Sequence, residues 1–264
     1  KAHEFAKWVG YIKQKTTNLI PTTHRVVPLE HYIYNYEEDE ITKIVDNKGK
    51  FQNYDIIREK YKTIGSSKII NKFCEFLKTK NYLPALFFVF SRKECERLAK
   101  SIHKSFVDSE TSANISKIFD YEMRNYKKIY EKSPQYHSVY QLVTKGIAYH
   151  HSGLVPILKE VIEILFSKGL IKVLFATETF AVGVNMPTKT VIFPKLMKYS
   201  NNSFRYLRTD EYLQMAGRAG RRGLDKFGNV IILPNDELME SIELKKMMTG
   251  RSPCLNTHRY SDKP

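Results

Sequence analysis

The sequence predicts an α/β fold, a doubly wound parallel sheet preceded by an extended linker and hairpin segment, on three observations. Short, wholly apolar runs of strand length recur after residue 82; amphipathic runs of helical spacing separate them; the first eighty residues lack that alternation. Strands covered by helices on both faces read as continuous apolar runs, which is why these runs point to a parallel sheet.

The elements follow in order. PALFFVF (84–90) is the first strand, and SRKECERLAKSIHK (91–104) follows it with helical spacing. A polar, Tyr- and Lys-rich stretch over 105–143 reads as a packed helical insertion, with Tyr121, Tyr126, Tyr130 and Tyr136 as base-stacking candidates in the alternative reading. GIAYH (146–150) is the second strand, VPILKEVIEILFSKG (155–169) an amphipathic helix closed by Gly169, IKVLFAT (171–177) the third strand and TKTVIF (188–193) the fourth. Thr209, Asp210 and Glu211 supply an N-cap and an acidic first turn for a helix running into QMAGRAGRRG (214–223), and GNVIIL (228–233) is the fifth strand. Residues 82–240 therefore read as one doubly wound domain. Before it, PTTHRVVPLEHYIY (21–34) is extended and proline-bounded and 37–62 is charged and turn-like, so 1–81 reads as a linker with a β-hairpin; 241–264 leads out of the domain.

Composition narrows the function classes. Forty-three Lys and Arg against 28 Asp and Glu leave a net charge of +15 over 264 residues, which favours a polyanionic partner, nucleic acid first. A Lys-, Asn- and Ile-rich composition also arises in an AT-biased genome. Cys74, Cys95 and Cys254 are far apart with no CxxC spacing, which predicts neither disulfides nor zinc and fits a reducing, intracellular compartment. No apolar run approaches the roughly 18 to 20 residues of a membrane span. Residue 1 is not a methionine, and the chain reads as a piece of a longer one.

Four segments hold residues suited to chemistry. Each glycine within a helix costs roughly 1 kcal/mol relative to alanine, so QMAGRAGRRG asks for an explanation from outside itself. Placed on a helix at about 100° per residue, Gln214, Arg218 and Arg221 fall within roughly 60° of one another. Arginine suits bidentate phosphate contact, and small residues at 216, 217, 219 and 220 let another surface approach. A solvated helix end with Gly220 or Gly223 as C-cap is the plainer reading. ATETFAVGVNMP (176–187) follows a strand at its carboxyl end, where open α/β sheets bind ligands; Thr177, Glu178 and Thr179 bring hydroxyls and a carboxylate, and Gly183, Asn185 and Pro187 mark a turning loop. HHSG (150–153) also follows a strand; two adjacent histidines point to opposite sides, so a backbone contact or a helix cap is favoured over zinc. In FSRKECE (90–96), Ser91 is either a phosphate contact at a helix start or an N-cap with Glu94 as its capping-box partner.

Taken together and in this order, the four segments resemble the second RecA-like domain of superfamily 2 helicases, specifically the superkiller-type, exosome-associated DExH RNA helicases. IAYHHSGLVPILKEVIEILFSKGLIKVLFATETFAVGVNMPTKTVIF and TDEYLQMAGRAGRRG carry the resemblance, FAKWVGYIKQK resembles the exit of the first RecA-like domain, and LNTHRY the approach to a winged-helix domain. The resemblance implies that Gln214 and Arg218 contact ATP phosphates and that Arg221 is the arginine finger of phosphoryl transfer. It implies that Thr177, Glu178 and Thr179 face the RNA backbone and that Gly183 and Asn185 lie on the nucleotide side. Ser91, Arg92, His151 and Ser152 carry over as RNA contacts.

The resemblance further implies ATP with Mg2+ held mainly by the preceding domain, single-stranded RNA as substrate, exosome or adaptor proteins as further partners, and a monomer. No GxxxxGK[ST] phosphate loop occurs, and the acidic run Glu37–Glu40 lies in the linker rather than after a buried strand, so this piece alone is expected to be inactive. A related DNA helicase, and a nucleic-acid-binding module without catalysis, are the two rival readings.

Overall fold

The computed structural model describes residues 2–20, 25–60, 66–183, 186–200, 202–234 and 238–250. Helix α1 (Ala2–Lys13) precedes a hairpin of β1 (Leu29–Asn35) and β2 (Glu40–Val45); α2 (Tyr54–Lys60) and α3 (Ser66–Thr79) lead to β3 (Ala85–Phe88). Then come α4 (Arg92–Lys100), α5 (Ser109–Met123), the single turn α6 (Lys127–Tyr130), α7 (Pro134–Val143), β4 (Ile147–His150) and α8 (Pro156–Ser167). β5 (Val173–Ala176), α9 (Thr179–Gly183), β6 (Thr190–Phe193), a second hairpin of β7 (Met197–Ser200) and β8 (Ser203–Tyr206), α10 (Thr209–Ala216), β9 (Gly228–Ile232) and α11 (Ser241–Thr249) complete the described chain.

Seven strands form one sheet in the order β2-β1-β9-β6-β3-β5-β4, every pair parallel except β1 with β2. The five apolar runs are its centre and one flank, and β3, β4, β5 and β6 are buried along their whole length. Aromatic contacts knit the core: Phe87 of β3 stacks on its cross-strand partner Phe175 of β5 with centroids 4.6 Å apart, and Phe193 of β6 stacks on Tyr212 of α10 at 4.9 Å, joining sheet to helix. Truncating any one of these buried rings to alanine is worth about 3 to 5 kcal/mol.

The N-terminal hairpin is part of this sheet. β1 runs parallel to β9 with Leu29 opposite Gly228, so the sheet continues across residue 82. Tyr34, fully buried, packs on Phe73 of α3 at 4.6 Å, which closes that end of the core. Of the acidic run, Glu37, Glu38 and Asp39 lie in the turn between β1 and β2 and Glu40 opens β2; the Asn35 side chain accepts from the Glu37 amide at 3.0 Å.

The stretch 105–143 folds as three helices. Ile115, Phe119 and Met123 of α5 are buried, and Phe119 meets Tyr136 and Tyr140 of α7 edge-on at 5.3 and 5.2 Å. Tyr136 is therefore a core residue, while Tyr121 and Tyr126 are exposed. The hairpin β7–β8 has no counterpart in the sequence reading. The segment LNTHRY lies outside the described residues, and among those described no helix is long and apolar enough to cross a membrane.

Candidate functional site

Three of the four segments meet at one edge of the sheet. β3, β5 and β4 are adjacent, with Phe88 opposite Ala176 and Ala176 opposite His150. The residues that follow these strand ends, Ser91 with Arg92, His151 with Ser152, and Thr177 to Thr179, therefore emerge together at the carboxyl edge, where open parallel sheets bind ligands.

Ser91 caps α4, its Oγ accepting from the Glu94 amide at 3.4 Å; Ser91 and Arg92 are both exposed. The Thr177 amide donates to the carbonyl of His150 at 3.1 Å, and the Thr177 and Thr179 hydroxyls lie 3.0 Å apart. Glu178, Thr179 and Ser152 face solvent. His151 is 2% exposed: its Nδ1 accepts from the Gly153 amide at 3.1 Å, so its Nε2 carries the proton and faces Glu96 Oε1 at 3.2 Å. Burial lowers its pKa and keeps the ring neutral, and Tyr149 stacks on it at 5.6 Å. It thus shapes the HHSG loop from inside, leaving Ser152 on the surface. Neighbouring His150 turns the other way, to Glu163 Oε1 at 2.7 Å. The two imidazoles serve different carboxylates, and among the described residues no group of His, Cys, Asp or Glu is arranged to hold a metal ion.

The second hairpin stands beside this edge and is pinned by one carboxylate. Glu211, in the first turn of α10, accepts from Arg205 Nη1 and Nη2 at 2.8 Å each and from the Arg208 amide at 2.9 Å. It also pairs with Lys198 Nζ at 2.9 Å, which pairs in turn with Glu178 at 2.5 Å. Burial opposes ionisation of Glu211, but these bonds outweigh it and hold the carboxyl far below its usual range. Two clefts flank the clamp. One of about 320 Å³ is lined by Glu178, Thr179, Lys198, Arg208 and Gln214 among others. The other, of about 520 Å³, runs from Ser91 and Phe90 to Tyr199 and Phe204 at the hairpin. Tyr199 and Phe204 are 61% and 70% exposed and meet edge-on at 5.3 Å.

The arginine segment corrects the sequence reading. α10 ends at Ala216, and Gly217 is its C-cap, so Gln214, Arg218 and Arg221 do not share a helical face. The cause is pairing with Thr188, whose amide donates to the Arg218 carbonyl at 2.9 Å and whose carbonyl accepts from the Gly220 amide at 2.7 Å. That bridge draws the chain out of the helix. The glycines also find their reason within the chain. Gly220 has φ +90°, and a Cβ there would meet Val27 Cγ1 at 2.5 Å and Gly228 Cα at 3.0 Å. Gly223 has φ +77°, the left-handed region, and a Cβ on Gly217 would meet the Leu213 carbonyl at 2.8 Å.

Gln214 is exposed and shares its cleft with Glu178 and Thr179. Arg218 Nη2 donates to the carbonyl of Ala181 in α9. Arg221 turns to Asp225, its Nε and Nη2 donating at 2.8 and 2.9 Å while its amide donates at 2.9 Å. Gly183 closes α9, and Asn185 lies outside the described residues. α10 links the two regions. Its first turn is bonded to the hairpin at the carboxyl edge, and its end lies against Thr188 and Gly228, which precede β6 and open β9 at the amino edge. Sequence reasoning did not single out Lys198, Arg205, Glu211 as a clamp, Asp225 or Arg25. Of these only Asp225, four residues after Arg221, left a local signal.

The family described as Helicase conserved C-terminal domain matches residues 117–223, a span that holds all the expected site residues except Ser91 and Arg92. The chain is 39% identical over 280 aligned residues to the DExH-box ATP-dependent RNA helicase DExH9 of Arabidopsis thaliana, covering 97% of this chain and 28% of that protein. It is 37% identical over 275 residues to the Exosome RNA helicase MTR4 of Homo sapiens, covering 97% and 26%. It is 37% identical over 285 residues to the Superkiller complex protein 2 of Homo sapiens, covering 97% and 23%. The chain spans about a quarter of the length of these relatives.

Proposed function

We propose, from the premise that the chain carries a helicase conserved C-terminal domain and is homologous to DExH RNA helicases, that it is the C-terminal RecA-like half of an ATP-dependent RNA helicase. In this reading the whole protein translocates on single-stranded RNA inside the cell and feeds RNA processing or decay; of the relatives, one is named an exosome RNA helicase and another a superkiller complex protein. Residues 82–240, with the β1–β2 hairpin that shares their sheet, are the second RecA-like domain, the residues before that hairpin are the exit of the first domain and the linker, and 241–264 are the approach to a winged-helix domain.

One observation carries the reading: a polar, solvent-facing carboxyl edge and a cationic amino edge are joined by the single helix α10. At the carboxyl edge Ser91, Arg92, Ser152, Thr177, Glu178 and Thr179 hold the RNA backbone. His151 shapes their loop. Contacts of this kind read phosphate and sugar rather than base, so binding is tolerant of sequence and weakened by salt. The exposed rings of Tyr199 and Phe204 add stacking surface for unpaired bases.

At the amino edge the donor set fits an anionic phosphate chain. Arg218 donates to a neutral carbonyl, and Arg221 Nη1 has no partner among the described residues. Arg218 contacts phosphate oxygens there, joined by Gln214 from the neighbouring cleft that it shares with Glu178 and Thr179; Gly183 and Asn185 lie on the nucleotide side, and Arg221 meets the charge that develops in transfer. ATP supplies the phosphoryl group that passes to water. Mg2+ belongs, in this reading, with the preceding domain. Half a nucleotide site gives no turnover, so this chain alone is inactive. The test is ATP hydrolysis by the pure chain, with and without a single-stranded RNA; turnover above background overturns the two-halves reading, and hydrolysis only when the preceding domain is present supports it.

A further inference from the structure

Arg25 lies in no helix or strand, four residues before β1, and in no motif of the sequence reading. Its Nη2 donates to the carbonyls of Gly217 at 2.6 Å and Ala219 at 2.7 Å, and its Nε donates to the carbonyl of Val27 at 2.7 Å. Gly217 is the C-cap of α10, so its carbonyl is one of the acceptors a helix leaves unmatched at its negative end, and a cation there is favoured by the helix dipole as well. The two carbonyls flank Arg218, and Arg221 follows two residues later. No carboxylate pairs with Arg25 among the described residues; backbone carbonyls alone meet its charge.

The neighbours of Arg25 extend the same contact. Val27 is buried against Gly220, where it occupies the space a Cβ would need, and the Pro28 carbonyl accepts from the Gly228 amide at 2.8 Å. Residues 25–28 thus form a wall along 217–220, a segment nearly two hundred residues away in sequence. A guanidinium that grips both sides of Arg218 restrains its backbone where the helix has ended, adding to the Thr188 bridge and to the bonds from the Arg218 and Ala219 amides to the Met215 and Ala216 carbonyls at 3.0 Å each.

We infer that Arg25 is a positioning residue for the arginine segment: it binds the linker to the carbonyls around Arg218, so that linker and arginines move as one body. The inference rests on the reading of Arg218 and Arg221 as phosphate-facing. It makes the linker more than a tether, because a displacement of residues 25–28 reaches Arg218 through two hydrogen bonds and no intervening element.

The test uses the protein with its preceding domain and compares Arg25→Ala, Arg25→Lys and Arg221→Ala in RNA-stimulated ATP hydrolysis. Misplacing a catalytic group by an ångström costs up to about a hundredfold, so Arg25→Ala is expected to lower kcat at least about tenfold with KM for ATP nearly unchanged. Arg25→Lys keeps a cation at the helix end and recovers most of that loss. In this chain alone, Arg25→Ala speeds amide hydrogen exchange at Ala219 and Gly220 without lowering Tm by more than about 3 °C. The inference is overturned if Arg25→Ala hydrolyses ATP within twofold of the parent while Arg221→Ala is dead. It is also overturned if exchange at 219–220 is unchanged, or if the kcat loss tracks a fall in Tm and lysine does not recover it. If Arg221→Ala itself retains full hydrolysis, the phosphate-facing reading falls, and faster exchange then supports only the mechanical link between linker and segment.

Discussion

Replacing Glu211 by glutamine tests the hairpin clamp with no assumption about function. The side chain is 12% exposed and is met by five donor groups: two Arg205 nitrogens, the Arg208 amide, Lys198 Nζ and, at 3.4 Å, Arg208 Nη2. Glutamine keeps the volume but turns an NH2 group toward cations and removes the charge. Breaking one partner of a fully buried ion pair costs about 3 to 5 kcal/mol. Arg205 is 30% exposed, and Lys198 keeps Glu178, so the expected loss is smaller, about 2 to 3 kcal/mol. Urea unfolding of the chain measures it as a midpoint shift of about 1 M with an unchanged slope. The pH dependence has a definite sign. A carboxyl whose folded pKa is depressed contributes stability that is full above its unfolded value and lost as pH falls through the folded one. The gap between parent and variant is therefore constant from pH 7 to about 5 and closes only in stronger acid. A midpoint within about 0.2 M of the parent, or a gap that closes already at pH 6, refutes the clamp.

Further outcomes are equally concrete. Gly220→Ala, with φ +90° and a Cβ placed 2.5 Å from Val27, should cost more than about 2 kcal/mol, whereas Gly223→Ala, strained at φ +77° but with no atom within 4 Å, should cost about 1 kcal/mol; equal costs in chemical denaturation contradict the packing account. His31, buried with Nδ1 2.6 Å from the Tyr212 hydroxyl, is held down to a pKa of about 3 by burial and by the Arg25 charge. The unfolded chain thus binds a proton that the folded one refuses between pH 6.5 and 3, and stability falls with acidification by at most about 1.4 kcal/mol per pH unit. His31→Gln should flatten that slope in midpoint measurements at pH 7 and pH 5, and an unaltered slope assigns it elsewhere. Tyr199→Ala with Phe204→Ala should weaken binding of single-stranded RNA by about ten- to a hundredfold without changing Tm, read by fluorescence anisotropy; unchanged affinity removes the rings from the RNA path.

What the sequence disclosed follows from how local each cause is. The five apolar strands were legible because burial on both faces leaves a run with no polar interruption, and the helix between His151 and Gly169 because its period is clean. MKYSNNSFRY carries no hairpin signature, since two four-residue strands with half-exposed sides show neither an apolar run nor a clean alternation. The arginine segment was found by composition and misread in shape. Its three glycines read as room for an absent neighbour, but Val27, Gly228 and the Leu213 carbonyl, all in this chain, occupy that room at Gly217 and Gly220, while Gly223, with no atom within 4 Å, answers to its φ of +77°. The helical face of Gln214, Arg218 and Arg221 failed because a bridge to Thr188, thirty residues upstream of Arg218, ends the helix, and periodicity has no access to such a partner. Arg25 was invisible for the same reason: its bonds span 192 and 194 residues.

The central claim is that this chain contributes the arginine segment to a nucleotide site completed by another domain. Single-turnover ATP hydrolysis by the two-domain protein carrying Arg221→Ala, with RNA affinity measured in parallel, tests it most directly. The account predicts a loss of about 10³-fold or more in hydrolysis, the scale of a missing arginine finger, with RNA bound as tightly as by the parent. Hydrolysis within a few-fold of the parent, or loss of RNA binding in step with activity, would contradict it.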